Sequence, residues 1–179
     1  MAGIPEKMHA LHRALDAAGL AHAFGGALAL AWCTQRARGT IDIDLNVFVG
    51  TEQADDVLGA LPGEVSWSDD DARLLARDGQ RRLWWDGTPV DLFLDTAEFH
   101  QRAASRVRWE QFDGDSLPFL SCSDLAVFKV FFDRTKDWAD LEEMQAAGTL
   151  DPDLVTGVLV RRLGARDRRL ARLRRLYAE

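Results

Sequence analysis

The stretch TIDIDLNVFV, residues 40–49, decides the fold because polar and apolar side chains alternate along it. Successive side chains of a β-strand point to opposite faces, so this period of two predicts a strand. Asp42, Asp44 and Asn46 then share one face, and the aliphatic residues between them share the other. The stretch therefore predicts a sheet strand with an apolar face toward a core and two carboxylates on the opposite face.

The two carboxylates of this strand have the spacing of a metal clamp. Asp42 and Asp44 are separated by one residue, which places their Cα atoms about 6.5 Å apart on a strand. Asp91, within the strand-like run VDLFL of residues 90–94, supplies a third carboxylate if its strand lies nearby. Such oxygen ligands suit one or two Mg²⁺ ions. The alternative is that Asp42 and Asp44 lie on the solvated face of an edge strand.

A glycine pair precedes the stretch and joins a strand to a helix. Residues 20–24 predict a short strand, and the alanine- and leucine-rich residues 27–32 predict a helix after Gly25 and Gly26. Glycines at such a junction let backbone N–H groups approach a phosphate, and the helix N-terminus favours an anion. The alternative is a simple tight turn.

The remaining periodicity divides the chain into a mixed α/β part and a helical end. Before residue 120 it predicts a helix from Pro5 to Ala18, a helix from about Glu52 to Leu61, and strands around 73–77, 81–85 and 89–94. Beyond Phe119 it predicts a helix capped at Ser123-Asp124, then helices over 137–144, from Asp151-Pro152 onward, and over 165–177. The predicted fold class is α+β, a mixed β-sheet core flanked by helices over residues 1–120 with a C-terminal helical bundle over 121–179.

Composition indicates a soluble, cytoplasmic protein without a membrane segment. No apolar run approaches the roughly 20 residues of a membrane helix, and the N-terminal residues do not resemble a secretory signal. Cys33 and Cys122 lie among apolar residues, which predicts buried free thiols in a reducing compartment. The four histidines are not spaced for zinc and are expected at surface or packing positions. Trp84-Trp85 could stack a base, although a core role is expected for at least one of them.

The charge is distributed unevenly. The net charge is −7, yet residues 161–179 carry eight arginines against two acidic residues. The body of the chain is therefore acidic, and any contact with a polyanion must use a restricted basic surface. These arginines are Arg161, Arg162, Arg166, Arg168, Arg169, Arg172, Arg174 and Arg175. The alternative is a solvated helix face.

The motifs, taken in order, resemble the signature of the polymerase-β-like nucleotidyltransferase superfamily. That signature has a hydrophobic-Gly-Gly/Ser turn, as in Phe24-Gly25-Gly26, an Asp-hydrophobic-Asp pair, as in residues 42–44, and a later single aspartate, as in residues 90–92. The run FDRTKDWADL, residues 132–141, is similar to the late helix motif of the AbiEii-like branch of the superfamily. The resemblance covers residues 20 to 145 and implies a nucleotidyltransferase-type sheet core.

The resemblance also implies roles for individual residues. Asp42, Asp44 and Asp91 would be the catalytic, metal-binding carboxylates, with Asp91 helping to activate the attacking hydroxyl. Gly25 and Gly26 would cradle the triphosphate. The remaining predicted nucleotide contacts are Arg38, Thr40, Lys129, Arg134, Lys136 and Asp137. Arg38 could instead be a solvated loop charge, Lys129 could extend to the surface, and Asp137 could cap a helix.

The expected function is that of an enzyme that moves an NMP from an NTP to an acceptor hydroxyl with Mg²⁺ or Mn²⁺ as cofactor. The AbiEii-like resemblance implies a toxin–antitoxin protein with tRNA or other RNA as acceptor and a cognate antitoxin as partner. One alternative is an antitoxin-like transferase that nucleotidylates a protein, and another is a catalytically silent module that binds nucleotide or a partner. The three carboxylates disfavour the silent module, since clustering them is costly.

Overall fold

The computed structural model describes residues 2–178, and the chain divides into two compact units. The first unit contains the described residues of Met1–Gly26 together with Gly39–Leu120. The second contains Ala27–Arg38 and the described residues of Ser121–Glu179. The predicted division at residue 120 stays a prediction, with the difference that Ala27–Arg38 groups with the helical end.

The first unit contains both helices and strands, and helices make up the second. The helices are α1 (Ile4–Ala17), α2 (Gly26–Thr34), α3 (Ala54–Ala60), α4 (Asp69–Asp78), α5 (Glu98–Ala103), α6 (Cys122–Phe132), α7 (Thr135–Ala146), α8 (Pro152–Leu163) and α9 (Arg168–Ala178). The strands are β1 (His22–Phe24), β2 (Ile43–Gly50), β3 (Gln80–Trp85), β4 (Thr88–Asp95), β5 (Arg108–Phe112) and β6 (Asp115–Phe119). Short 3₁₀ turns lie at Thr51–Gln53 and Ala104–Arg106.

The strands form one mixed sheet in the order β3-β4-β2-β1-β6-β5. β2 runs parallel to β4, and β1 runs parallel to β6. The other neighbouring strands are antiparallel. A mixed sheet with helices, followed by a helical C-terminal region, confirms the predicted α+β class.

The alternation of the quoted stretch sets the core of the sheet. Ile43, Leu45 and Val47 are fully buried. Their partners on β4 are the aliphatic residues Val90, Leu92 and Leu94, which are also buried. A shift of the pairing by one residue would turn these side chains to the other face, so burial specifies the register strongly.

Residues 73–77 are helical, and the prediction of a strand there is wrong. They lie in α4, where Asp71 accepts a hydrogen bond from the Ser68 backbone N–H at 2.8 Å and Ser68 Oγ accepts one from the Asp71 N–H at 3.3 Å. This reciprocal cap satisfies free donors of the first turn. Gly79 ends the helix with φ +70°, a conformation that favours glycine. The strand predicted over 81–85 is confirmed as part of β3.

The β5–β6 hairpin was not predicted, although its turn carries a recognisable signal. Asp113 and Gly114 join the two strands with φ of +50° and +88°. Two residues with positive φ form the turn that matches strand twist, and Asp-Gly is a preferred sequence for it.

Two helices of the second unit, α6 and α8, begin at side-chain caps. Ser121 Oγ accepts a hydrogen bond from the Asp124 N–H at 3.1 Å, so the cap of α6 lies two residues before the predicted cap at Ser123. Asp151 accepts one from the Leu154 N–H at 3.0 Å, which caps α8 at the predicted place. Short polar side chains satisfy these N–H groups because a helix leaves its first donors without partners.

Cys33 and Cys122 form a disulfide, so the prediction of free thiols is wrong. Cys33 lies on α2 and Cys122 begins α6, and their Cα atoms are 5.5 Å apart, within the range that a disulfide spans. The two cysteines are 89 residues apart in sequence, so no local pattern indicates that they are close in space. The predicted cytoplasmic location loses the support of free thiols and stays a prediction. Within residues 2–178, no helix combines the length and apolar character needed to cross a membrane.

The last residue of β4, Asp95, carries a buried carboxyl group. The Asp95 side chain is 2% exposed, and its Oδ1 lies 3.3 Å from His100 Nδ1 without accepting a hydrogen bond. The His100 ring nitrogens lie 3.1 Å from the Leu94 carbonyl oxygen and 3.1 Å from Asn46 Oδ1. Burial raises the pKa of Asp95 to about 6, because desolvation penalises the ionised form.

This buried group makes the stability depend on pH. The folded chain holds the Asp95 proton more tightly than the unfolded chain between pH 3.8, its ordinary pKa, and about 6. The free energy of unfolding therefore falls as the pH rises through that interval. We expect Asp95→Asn to stabilise the chain by about 2 to 3 kcal/mol at pH 8 and very little at pH 4. Urea denaturation at both values measures the difference, and equal effects at the two values would contradict it.

Candidate active site

Two of the predicted carboxylates are direct neighbours in the sheet. Asp44 on β2 and Asp91 on β4 are Cα partners in the parallel ladder. Side chains at paired positions of adjacent strands point to the same side of a sheet. The Asp91 side chain is 18% exposed, so the pair lies on an accessible face rather than in the core.

Asp42 lies just before the strand rather than within it. β2 begins at Ile43, because Thr40 and Asp42 form a local turn. Thr40 Oγ1 donates to Asp42 Oδ1 at 2.6 Å and accepts from the Asp42 N–H at 3.3 Å. The predicted strand start at residue 40 is therefore wrong. Thr40 positions Asp42 here, and its contact with phosphate stays a prediction.

Arg82 joins the carboxylates, and sequence reasoning missed it. Its Nε and Nη2 donate to the two oxygens of Asp91, each at 2.7 Å. Its Nη2 also lies 3.9 Å from Asp42 Oδ2. Hydrogen bonding to Asp91 raises the pKa of Arg82, and the charges of Asp42 and Asp44 raise it further. All three predicted carboxylates therefore act on one guanidinium.

A signal for Arg82 was present in the sequence. Asp86 and Gly87 have positive φ and join β3 to β4 as a two-residue turn, for which Asp-Gly is a preferred sequence. Such a turn fixes the hairpin register, so counting back from it places Arg82 opposite Asp91, as observed.

The glycine turn lies against Asp44. The Gly25 N–H donates to the Asp44 carbonyl oxygen at 2.9 Å. Gly26 has φ +57°, and a Cβ placed on it would be 1.8 Å from Asp44 Oδ2. The backbone conformation favours glycine, and a side chain at position 26 would displace the Asp44 carboxylate. Gly26 also begins α2, so a helix N-terminus adjoins the carboxylate side chain.

The donor chemistry of this cluster fits a divalent cation, although its present arrangement does not form a metal cage. Three carboxylates offer the oxygen ligands that Mg²⁺ prefers, and their attraction of Arg82 shows that the cluster draws a cation. Across residues 2–178, no group of three or more His, Cys, Asp or Glu side chains stands ready to hold a metal. Arg82 occupies both oxygens of Asp91 instead.

Arg38 and Lys129, both predicted nucleotide contacts, belong to the helical unit and bind carboxylates of α7. Arg38 donates to Asp140 at 2.9 Å and to Glu143 at 2.6 Å. Lys129, on α6, donates to the same Asp140 at 2.6 Å, and its side chain is only 10% exposed. These ion pairs give both cations a structural role, and their contact with nucleotide stays a prediction.

The late motif also builds the start of α7. Asp137 Oδ2 accepts from the backbone N–H and the Nε of Arg134, at 3.2 and 2.7 Å. Burial alone would raise the pKa of Asp137, but the Arg134 hydrogen bond and the Lys129 charge outweigh it and lower that pKa. The capping role considered for Asp137 is thus present in the structure. Lys136 is exposed, and nucleotide binding by these residues stays a prediction.

The adjacent tryptophans face opposite ways. Trp85 is 5% exposed and Trp84 is 49% exposed, which confirms the expected core role for one of them. Trp84 lies two residues from Arg82 and therefore on the same side of β3. An exposed indole thus lies on the side of the sheet that carries the carboxylates, where base stacking stays a prediction.

The histidines include a pair away from the carboxylates. His22 Nε2 lies 2.9 Å from His12 Nδ1, and His22 Nδ1 lies 2.7 Å from the Leu20 carbonyl oxygen. Desolvation lowers the pKa of both histidines. His22 also lines a cavity of about 310 Å³ with Phe48 and Trp109. None of the predicted carboxylates lines that cavity.

The fold is similar to the solved structures of an antibiotic-resistance factor and of an adenylyltransferase. The antibiotic-resistance factor ANT(2'')-Ia in its solution structure is 16% identical, with a TM-score of 0.55 over 97% of this chain and 90% of that chain. The lincosamide antibiotic adenylyltransferase LnuA with lincomycin bound is 10% identical, with a TM-score of 0.53 over 79% of this chain and 96% of that chain. At these identities the likeness shows the fold. No protein-family model and no curated protein matches the sequence.

The contact between the glycine turn and Asp44 can be measured with two alanine variants. Gly26→Ala places a Cβ against Asp44 at φ +57°, whereas Gly19→Ala has φ +69° and nothing within 4 Å. Both variants lose about 1 kcal/mol to the backbone conformation, and Gly26→Ala should lose about 1 to 3 kcal/mol more from overpacking. Urea denaturation of the two variants isolates this excess. Equal losses would contradict the close contact.

Proposed function

We propose that this chain is a metal-dependent nucleotidyltransferase that transfers an NMP from an NTP to an acceptor hydroxyl. The observation that carries the proposal is the placement of Asp44 beside Asp91, against a glycine turn that begins a helix. The carboxylates suit the metal ions of a metal-bound triphosphate. The helix N-terminus suits its phosphates. The fold likeness to the adenylyltransferase LnuA supports the same activity.

Each residue of the site has a part in this reaction. Asp42 and Asp44, with Asp91, would hold Mg²⁺ or Mn²⁺, which supplies charge stabilisation at the phosphates. The N–H groups of the Gly25-Gly26 turn would bind phosphate oxygens. The acceptor oxygen attacks the α-phosphorus, the bond to the bridging oxygen breaks, and pyrophosphate leaves in line. Asp91 would take the proton of the acceptor hydroxyl.

An RNA acceptor is favoured by the arginines of the helical unit. Leu170, Leu173 and Leu176 of α9 are buried, which leaves the arginines between them on the outer side. The exposed arginines of residues 161–178 are Arg161, Arg162, Arg166, Arg168, Arg172, Arg174 and Arg175. Phosphate backbones bind such surfaces through charge. The AbiEii-like resemblance points to the same acceptor and to a toxin with a cognate antitoxin.

The second candidate is a small-molecule acceptor, favoured by a specific comparison. LnuA is a lincosamide antibiotic adenylyltransferase and was solved with lincomycin bound. Incubation with each labelled NTP, Mg²⁺, and either total RNA, lincomycin or total protein separates the acceptors, because only the true acceptor becomes labelled. Labelled protein would support the antitoxin-like alternative, and absence of label from all three would contradict the transferase proposal.

The carboxylates should be required for transfer and for ligand-induced stability, but not for folding. Ligand that binds only the folded chain stabilises it by about 2.7 kcal/mol at a hundredfold excess over Kd. We therefore expect Mg²⁺ and NTP together to raise the Tm of the wild type far more than either alone. Asp42→Asn and Asp44→Asn should abolish this shift and the transfer, because each removes a metal ligand.

The control for these variants is Asp113→Asn, an exposed turn residue with φ +50° where asparagine is well tolerated. It should behave as the wild type in both measurements. Full transfer activity in Asp44→Asn would refute the metal site.

The salt dependence of RNA binding tests the arginine surface. Arg161, Arg174 and Arg175 are exposed, whereas Arg168 binds Asp133 and is therefore less suitable. Replacing the first three with Gln should weaken RNA binding, and each lost phosphate contact should flatten the log–log salt slope by roughly 0.7 to 0.9. The Tm shift with Mg²⁺ and NTP should not change. An unchanged slope would argue for the small-molecule acceptor. Gln at exposed Arg73, Arg77 and Arg102, which form local ion pairs, controls for the loss of three positive charges elsewhere on the chain.

A further inference from the structure

Strand pairing within the sheet fixes the position of Arg82. Arg82 and Asp91 are Cα partners in the antiparallel β3–β4 ladder, and Asp91 is in turn the partner of Asp44. Three neighbouring positions across three strands therefore carry a cation and two carboxylates on one side. β3 is one of the two edge strands of the sheet, and the Arg82 side chain is 51% exposed, so this side chain has room to move.

The neighbouring Arg81 shows that this contact is specific to one face of β3. Arg81 Nε donates to Asp71 at 2.6 Å, on α4, because alternate side chains of a strand point to opposite sides. Of these two arginines, Arg82 alone reaches Asp91 and approaches Asp42. The two arginines have the same charge and adjacent positions but different surroundings.

The contact with Arg82 is incompatible with the part proposed for Asp91. Each carboxylate oxygen of Asp91 accepts a hydrogen bond from the guanidinium. Both oxygens therefore already have a cationic partner. A divalent cation held by the same carboxylates would lie close to this positive charge and repel it. The guanidinium and a metal ion would therefore compete for Asp91.

We propose that Arg82 exchanges partners during the binding of substrate. It neutralises the carboxylates while they hold no metal, gives way to the divalent cation, and then binds the phosphates of the incoming nucleotide. The planar guanidinium suits both partners, since it forms paired hydrogen bonds with carboxylates and with phosphates. This inference rests on the proposed nucleotidyltransferase function and adds a specific residue to it.

The exchange predicts opposite effects of one substitution on two affinities. In Arg82→Gln, Mn²⁺ alone should bind about threefold to tenfold more tightly, because a competing cation that forms a partly exposed ion pair is removed. A non-hydrolysable NTP analogue in saturating Mg²⁺ should bind at least about tenfold more weakly, because a charged hydrogen bond to phosphate is lost. A residue that only supports the fold would weaken both.

The experiment measures both affinities by titration calorimetry for the wild type, Arg82→Gln, Arg82→Lys and Arg81→Gln. Arg82→Lys keeps the charge but not the paired donors, so its Mn²⁺ affinity should stay near the wild type while its analogue affinity falls. Arg81→Gln loses the same charge on the other face and should match the wild type in both. Circular dichroism confirms that each variant is folded.

The outcomes separate this inference from the function on which it rests. If the wild type binds Mn²⁺ no better than Asp44→Asn, the metal site fails and the partner exchange fails with it. If the wild type binds Mn²⁺ and Arg82→Gln shows no gain in Mn²⁺ affinity or no loss of analogue affinity, only the exchange is overturned. An equal response of Arg81→Gln would also overturn it, because net charge would then explain the result.

Discussion

The parallel pairing of β2 with β4 is the constraint on which the site depends. Ile43, Leu45 and Val47 are buried on one face of β2, and their burial fixes the register against β4. The same register places Asp44 beside Asp91 on the opposite face. A slip by one residue would bury carboxylates and expose the aliphatic side chains, so the hydrophobic effect positions the polar groups indirectly.

A second consequence of this register is a concentration of negative charge that needs a counter-charge. Asp42 and Asp44 flank Ile43 in sequence, and Asp91 is added from the next strand. Carboxylates so placed raise one another's energy unless a cation lies near. Arg82 fulfils that need within the chain. Under the proposed function, the same carboxylates accept Arg82 in the folded chain and a metal ion when substrate binds.

Residues positioned by neighbours close in sequence could be predicted. Residues positioned by partners far away in sequence could not. Alternation along residues 42–49 and the glycines at 25–26 are local patterns, so the acidic cluster and the turn beside it could be predicted. The Cys33–Cys122 disulfide joins residues 89 positions apart, and no local pattern indicates it. Arg82 lies between these cases, because only a short turn separates β3 from β4. The strand prediction for residues 73–77 is wrong because it considers those residues alone. The cap that starts their helix lies before them, at Ser68 and Asp71.

The late motif of the helical unit has a physical reason that does not depend on catalysis. Asp137, Asp140 and Glu143 recur every three residues on α7, a spacing that brings side chains to one side of a helix. Lys129 is almost buried and lies 3.7 Å from Asp137 and 2.6 Å from Asp140, while Arg38 joins Asp140 to Glu143. A buried ammonium without these carboxylates would be strongly unfavourable. The spacing that resembles a family motif is therefore also the spacing that this ion-pair network needs. The network accounts for the acidic residues of α7 without a contact to nucleotide.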